Sequence, residues 1–207
     1  GCHGDRDKDH RPRQNCTAGG FSRVPAGLDP STEVLLFPHN LFSGLAWSSF
    51  QPFAQLYEVD LTANQVSALP DGSFSACPAL TELYLDNNAI GSLANHTFSG
   101  LALLKLLDLS SNRIQVLPPV LLHPLASLDT LILENNQVQA VPDDWFGPKE
   151  EVPYLLLAAN PWACGCALRY LKAYLAEYGD NVYVRAGPTY TNNPDSVVSL
   201  LPLQPRP

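Results

Sequence analysis

Residues 128–138 read Leu128-Asp129-Thr130-Leu131-Ile132-Leu133-Glu134-Asn135-Asn136-Gln137-Val138. Leu131 and Leu133 are spaced by two, as residues on the buried face of a strand are. Asn136 follows three residues later, and Val138 is apolar again. The same arrangement recurs in steps of 24: Asn40, Asn64, Asn88, Asn112, Asn136 and Asn160 keep the interval without a slip. Five and three residues before each lies an apolar pair: Leu35/Phe37, Val59/Leu61, Leu83/Leu85, Leu107/Leu109, Leu131/Leu133 and Leu155/Leu157. Two residues after the first five come Phe42, Val66, Ile90, Ile114 and Val138, and a second comb of Phe50, Phe74, Phe98, Leu122 and Phe146 has the same period. One such unit cannot bury its own apolar face, so neighbours must stack. Each Asn stands where the chain leaves its strand, and its amide can satisfy backbone N–H and C=O groups that have no ladder partner there.

This pattern resembles the leucine-rich repeat, L-x-x-L-x-L-x-x-N-x-L. It predicts an α/β leucine-rich repeat solenoid with a curved parallel β-sheet on the concave face and an irregular or short-helical convex side. A disulfide-type N-terminal cap and a helical C-terminal flank are expected at the ends. The expected organisation is a cap or finger over residues 1–23, repeats of 24 residues over 24–162, and a flank over 163–207. Cys77 lies 13 residues after Asn64, where other coils carry Phe53, Leu101 and Leu125, so it reads as a small core residue.

The chain has 207 residues, 45% apolar and 15% charged, which excludes a disordered chain. Its net charge of −8 argues against general nucleic-acid affinity. Residues 1–23 hold five basic side chains against three acidic ones, whereas residues 24–148 hold only Lys105 and Arg113 against twelve acids. An acidic body of this kind favours basic partners and speeds encounter with them. No apolar run is long enough to span a bilayer, so any membrane attachment is expected through a segment outside this chain. No Met and no basic-apolar leader opens the sequence, and the reading is a mature or excised segment.

Cys2 and Cys16 bracket 13 residues before the first repeat. A bridge between them would close a small loop, contribute roughly 3 kcal/mol by restricting the unfolded chain, and place the protein in an oxidising compartment. Asn15-Cys16-Thr17 and Asn95-His96-Thr97 are N-glycosylation sequons. After the last repeat, Asn160-Pro161-Trp162-Ala163-Cys164-Gly165-Cys166 precedes an amphipathic stretch, Ala167 to Tyr178. Leu168, Leu171, Leu175 and Tyr178 share a face there, and Gly179 reads as a stop.

The finger Cys2–Cys16 followed by Val24-Pro25, the repeat Leu128–Asn136, and the run from Asn160-Pro161-Trp162 to Asn181-Val182-Tyr183-Val184 together resemble the ligand-binding heads of the platelet glycoprotein Ib family. The resemblance implies an extracellular adhesion-receptor ectodomain. It further implies a large protein ligand, von Willebrand factor A1-like, held by the finger, the concave face and a flank loop that forms a hairpin on binding. The matching loop runs from about Tyr183 to Ser196 and brings Tyr183 and Tyr190 among the ligand-binding residues. Three features depart from the family: the chain has about six coils, no Cys follows Cys166 to pair with it or with Cys164, and the acidic sulfated-tyrosine tail is not in this segment. A secreted or matrix leucine-rich repeat glycoprotein that binds a soluble factor stays open as the alternative.

Alternate strand residues point away from the core, so positions six, four and two before each Asn should line the concave face. Glu58, Asp60, Glu82, Tyr84, Asp86, Asp108, Glu134 and Tyr154 fall there, six acids and two tyrosines suited to steering and gripping a basic protein ligand. No enzyme is indicated. The five His form no H-E-x-x-H pair, and there is no phosphate loop and no G-x-S-x-G. Asp5-Arg6-Asp7-Lys8-Asp9 lacks the Gly and Glu of a calcium loop. No metal site and no cofactor are expected.

Overall fold

A computed structural model describes residues 1–147, 149–163 and 165–198. The apolar pairs form six short strands, one per coil: β3 (Val34–Leu36), β4 (Glu58–Asp60), β6 (Glu82–Tyr84), β8 (Leu106–Asp108), β9 (Thr130–Ile132) and β10 (Tyr154–Leu156). They pair in parallel with a register of one full coil, so that Val34, Glu58, Glu82, Leu106, Thr130 and Tyr154 lie side by side. The N-terminal hairpin, β1 (His3–Arg6) against β2 (Pro12–Asn15), adds two strands, and β2 pairs in parallel with β3. The result is an eight-stranded sheet. Between the coils, β5 (Ala68–Leu69) and β7 (Ser92–Leu93) make a two-stranded patch of their own. Among the described residues of the repeats, the rest of the returning side is made of turns and one 3-10 helix, Trp47–Phe50.

Burial follows the period. All six apolar pairs are buried, as are Phe50, Phe74, Phe98, Leu122 and Phe146 of the second comb, in one continuous core. Cys77 is wholly buried in the same core, its Sγ 4.0 Å from the Phe50 carbonyl, and burial pushes its thiol up to about 12.

The asparagines join the coils. The Asn112 side-chain amide donates to the carbonyls of Leu85 (3.0 Å) and Leu109 (3.0 Å), and its Oδ1 accepts the Ile90 N–H (3.0 Å). Asn64, Asn88, Asn136 and Asn160 repeat this set one coil apart, and Asn40 reaches the Cys16 carbonyl and the N–H groups of Gly19 and Phe21 in the cap. The residue before each ladder asparagine takes the left-handed conformation: His39, Ala63, Asn87, Ser111, Asn135 and Ala159 have φ between 53 and 57°. Such a φ strains a residue with a Cβ. In compensation, the N–H groups of Ala63, Asn87 and Ser111 donate to Asp86, Ser110 and Glu134 of the next coil.

Both ends are covered. Cys2 and Cys16 form a disulfide, and Cys16 is fully buried against the first coil. Arg13 clasps Asp5 through two 2.8 Å hydrogen bonds, and the Arg11 guanidinium lies 3.7 Å above the Tyr57 ring. At the other end the expected helix is a 3-10 turn (Cys166–Leu168) running into α1 (Arg169–Tyr178). Leu168, Leu171 and Leu175 are buried on the last coil, and Tyr174 stacks on Phe146 at 4.3 Å. Gly179 closes the helix as expected, with a φ of −57°, and the chain continues into a 3-10 turn (Gly179–Asn181). A Cβ there would stand 3.2 Å from Pro194, so close approach accounts for the glycine. Val182 then bridges to Leu155 in parallel, and the chain folds back as the hairpin β11 (Tyr183–Ala186) and β12 (Thr189–Asn192), before a last short turn, α2 (Asp195–Val198). Cys166 is exposed, while Cys164 lies outside the described residues. Among the described residues no helix is long and apolar enough to cross a membrane.

Replacing a ladder asparagine strands buried backbone groups. Asn112→Ala is expected to lower the unfolding free energy by roughly 1–3 kcal/mol, read by urea denaturation. Gln115→Ala, on an exposed position of the same coil, should stay within about 0.5 kcal/mol of the parent. Equal losses would remove the ladder as the cause.

Candidate functional site

The strand period of two carries alternate side chains to the concave face, and the register sets them in rows. Glu58 and Glu82 are directly paired positions, as are Asp60 and Tyr84, then Tyr84 and Asp108. The face divides into two halves that differ in what neutralises the acids.

In the N-terminal half, Glu58, Asp60 and Glu82 are half-buried. The Tyr84 hydroxyl donates to Glu82 Oε1 at 2.7 Å. Burial, followed by that hydrogen bond to Glu82, holds the Tyr84 phenol well above its ordinary range. Glu58 is raised from 4.5 to about 7: burial disfavours its charge, and Glu82, Asp60 and Asp7 repel it, against a smaller attraction from Arg13. Asp86 is buried; its Oδ1 accepts the Thr62 hydroxyl (2.9 Å) and its Oδ2 the Asn87 amide (3.0 Å). Burial, helped by Asp108 across the strand, raises its carboxyl.

In the C-terminal half the acids are answered within the chain. Asp108 is 4% exposed; its Oδ1 accepts the N–H (3.0 Å) and hydroxyl (2.7 Å) of Ser110. Its Oδ2 accepts Nη2 of Arg185 at 2.7 Å, and Arg185 Nε lies 3.3 Å from Glu134 Oε1. Burial still keeps Glu134 above its usual range, because it outweighs the attraction of Arg185. The sequence reading treats all six acids as open to a partner. The structure differs for Asp108 and Glu134, because hairpin β11–β12 lays Arg185 across them, and for Asp86, which is buried with its two oxygens taken by Thr62 and Asn87. Arg185 itself is absent from the sequence-derived set. The signal for it was slight: a lone cation in a flank next to a strongly acidic repeat region.

The same hairpin builds an aromatic recess. Tyr183 meets Tyr154 edge to face at 5.5 Å, and Tyr190 stands opposite Arg185 on β12 with 55% of its surface exposed. Leu106, Thr130, Tyr154, Leu156, Tyr183 and Tyr190 line a cavity of about 300 Å³. The flank segment that the resemblance expects to order on binding is already a hairpin here. Of the sequons, Asn95 is exposed, while Asn15 sits half-buried in β2 with its Oδ1 taken by Thr17. Among the described residues no group of three or more His, Cys, Asp or Glu is placed to hold a metal ion.

Two outcomes follow. The folded chain holds a proton on Glu58 more tightly than the unfolded chain, so this contribution is present at low pH and is lost as pH rises through about 7. Glu58→Gln should therefore raise the calorimetric midpoint at pH 8, with the gap closing at pH 5; a gap that is independent of pH would assign the gain to something other than the Glu58 charge. Arg185→Ala leaves the buried Asp108 carboxylate without its ion partner. Amide hydrogen exchange across Tyr183–Asn192 should speed up, with partial recovery in Arg185→Lys. Unchanged protection would mean that the Tyr154–Tyr183 and Leu155–Val182 contacts hold the hairpin unaided.

No curated protein matches the chain in sequence. The leucine rich repeat family model matches it four times in overlapping windows, at residues 30–90, 54–114, 78–138 and 103–161, which takes in every coil from β3 to β10. Domains of this family generally mediate protein–protein interaction and are generally non-enzymatic binding modules. The chain belongs to the leucine-rich repeat family.

Proposed function

We propose that this chain is an extracellular protein-binding module, the ligand-binding part of an adhesion receptor, and that it acts by binding rather than by catalysis. Its ligand is a large protein with a basic surface, of the von Willebrand factor A1 type. The concave face, the N-terminal finger and the flank hairpin make the contact. The observation that carries this reading is the N-terminal half of the concave sheet. Glu58, Asp60 and Glu82 share one surface there, and no ion pair within the described residues reaches them. Fields of this sign steer basic partners. The hairpin's aromatic recess beside them offers rigid, amphipathic contact area. The Cys2–Cys16 disulfide supports an oxidising, extracellular setting, and the exposed Asn95 sequon fits a secreted or cell-surface glycoprotein.

The test is surface binding of the folded chain to the isolated von Willebrand factor A1 domain at two salt concentrations. Saturable, salt-sensitive binding is expected. In Glu58→Lys/Glu82→Lys, association should slow by about tenfold while dissociation changes less, because exposed charges act mainly on encounter. Folded chain that fails to bind overturns the A1 assignment. Binding that ignores both salt and the charge reversal overturns the acidic face as its site.

A further inference from the structure

Arg185 rests on a carboxylate pair that the repeat makes twice. Asp108 stands four residues before its ladder asparagine, and Glu134 stands two residues before the next one. Asp60 and Asp86 hold the same two positions, two coils earlier, with the same separation of 26 residues. The parallel registers of β4 with β6 and of β8 with β9 are equivalent, so the two pairs cross neighbouring strands in the same diagonal sense. Local geometry matches at the first member of each pair: Asp108 turns Oδ1 to the Ser110 N–H and leaves Oδ2 for Arg185, and Asp60 turns Oδ1 to the Thr62 N–H at 2.9 Å. The second members differ, because Asp86 already accepts the Thr62 hydroxyl and the Asn87 amide, one on each oxygen, so that a cation there takes the remaining lone pairs. Among the described residues Asp60 Oδ2 has no hydrogen-bond partner, and no cation is paired with Asp60 or Asp86. Arg13 and Arg11, the nearest candidates in the cap, are held by Asp5 and by Asp7, Asp9 and Tyr57.

We infer that the Asp60–Asp86 pair is a seat for a single arginine side chain of a protein partner, filled in trans as Arg185 fills the Asp108–Glu134 pair in cis. The inference rests on the proposed role of the concave face in binding and gives it a chemistry. The occupant is a guanidinium rather than an ammonium. Arg185 spans two carboxylates with two different nitrogens, Nη2 and Nε, a planar fork of wider reach than the single nitrogen of a lysine. Tyr84 strengthens the seat. It stands directly across from Asp60 in the register, where the other pair has Ile132, and offers an aromatic face to a planar cation. The chain already makes such a contact between Arg11 and Tyr57. Glu58 and Glu82 form the acidic rim through which the side chain enters. A partner that fits carries one arginine on a protruding turn or hairpin, as the chain carries Arg185 on β11.

The probe is N-acetyl-arginine amide, with N-acetyl-lysine amide as its control, titrated against the full chain and followed by residue-resolved amide shifts. In the parent chain the signals of Asp60–Thr62 and Asp86–Asn87 should move with the arginine probe and much less with the lysine probe. Asp60→Asn should weaken the response by roughly fivefold, the size of one half-exposed ion pair. In Arg185→Ala a second set, Asp108–Ser110 and Ile132–Glu134, should join the first, because the internal occupant is gone. A dispersed amide spectrum checks that each variant is folded, and Tyr84→Phe, which keeps the ring, should retain the response. Unmoved signals at Asp60–Thr62 overturn the seat, whether or not the second set appears in Arg185→Ala. Equal response to both probes overturns it too, since that is charge attraction without a guanidinium site. The two readings fail separately. A chain that captures the A1 domain without an arginine response keeps the face and loses the seat, and one that responds to arginine without capturing the A1 domain keeps the seat and loses that ligand.

Discussion

A single side-chain amide, repeated every 24 residues, ties each coil to the one before it. A strand of three residues makes too few hydrogen bonds to hold a coil, and the backbone must then turn away from the sheet inside the protein, where unpaired N–H and C=O groups are costly. The ladder asparagine meets both needs at once. Its two N–H bonds go to carbonyls of its own coil and the previous one, and its oxygen takes an N–H from the previous coil. The turn it stabilises forces the preceding residue to a positive φ, and the chain accepts Ala63, Ser111 and Ala159 there as readily as Asn87 and Asn135. Tertiary bonding across coils outweighs the local preference of those residue types.

A rigid register turns sequence offsets into spatial relations. Residues 24 apart are neighbours along the sheet, and residues 26 apart are neighbours on its diagonal. Acids placed by this rule cannot avoid one another, and their mutual repulsion adds to burial in raising Glu58 and Asp86. A sheet this acidic is a poor surface unless something answers the charge. The fold answers two of the six acids, Asp108 and Glu134, with Arg185, and gives Asp86 the hydroxyl of Thr62 and the amide of Asn87.

The stack, its buried lines and the rows of concave residues were legible in the sequence because each is a matter of counting: the period places Leu83 inside and Glu82 outside without reference to any other part of the chain. The cap was legible for a similar reason, since two Cys close together before a solenoid have few other partners. Arg185 was not legible. It lies outside the repeat, 77 residues from Asp108, and its pairing depends on the path the flank takes after α1. Val182 sets that path by bridging to Leu155, which lays the hairpin over the last strands. Gly179 was legible as the helix stop, since α1 ends at Tyr178. The approach of Pro194 from the end of the hairpin, 3.2 Å from where a Cβ would stand, is a contact without a local signature.

The two halves of the concave face therefore suit different parts of an association. Half-buried acids without an ion partner still act over a distance and fade with salt, so on the proposed binding role the N-terminal half would govern how fast a basic partner arrives. An apolar recess acts only on contact, so on the same role Tyr154, Tyr183 and Tyr190 would govern how long it stays. Arg185 sits at the boundary. By neutralising Asp108 and Glu134 it removes charge from the half where desolvation would be most costly, and by pinning the hairpin it shapes the recess that replaces that charge. One arginine, paired with two carboxylates, thus marks the boundary between an acidic surface and an aromatic one. On the proposed role, a ligand would bring its cations to the first and an apolar side chain to the second, which would fix its orientation along the solenoid.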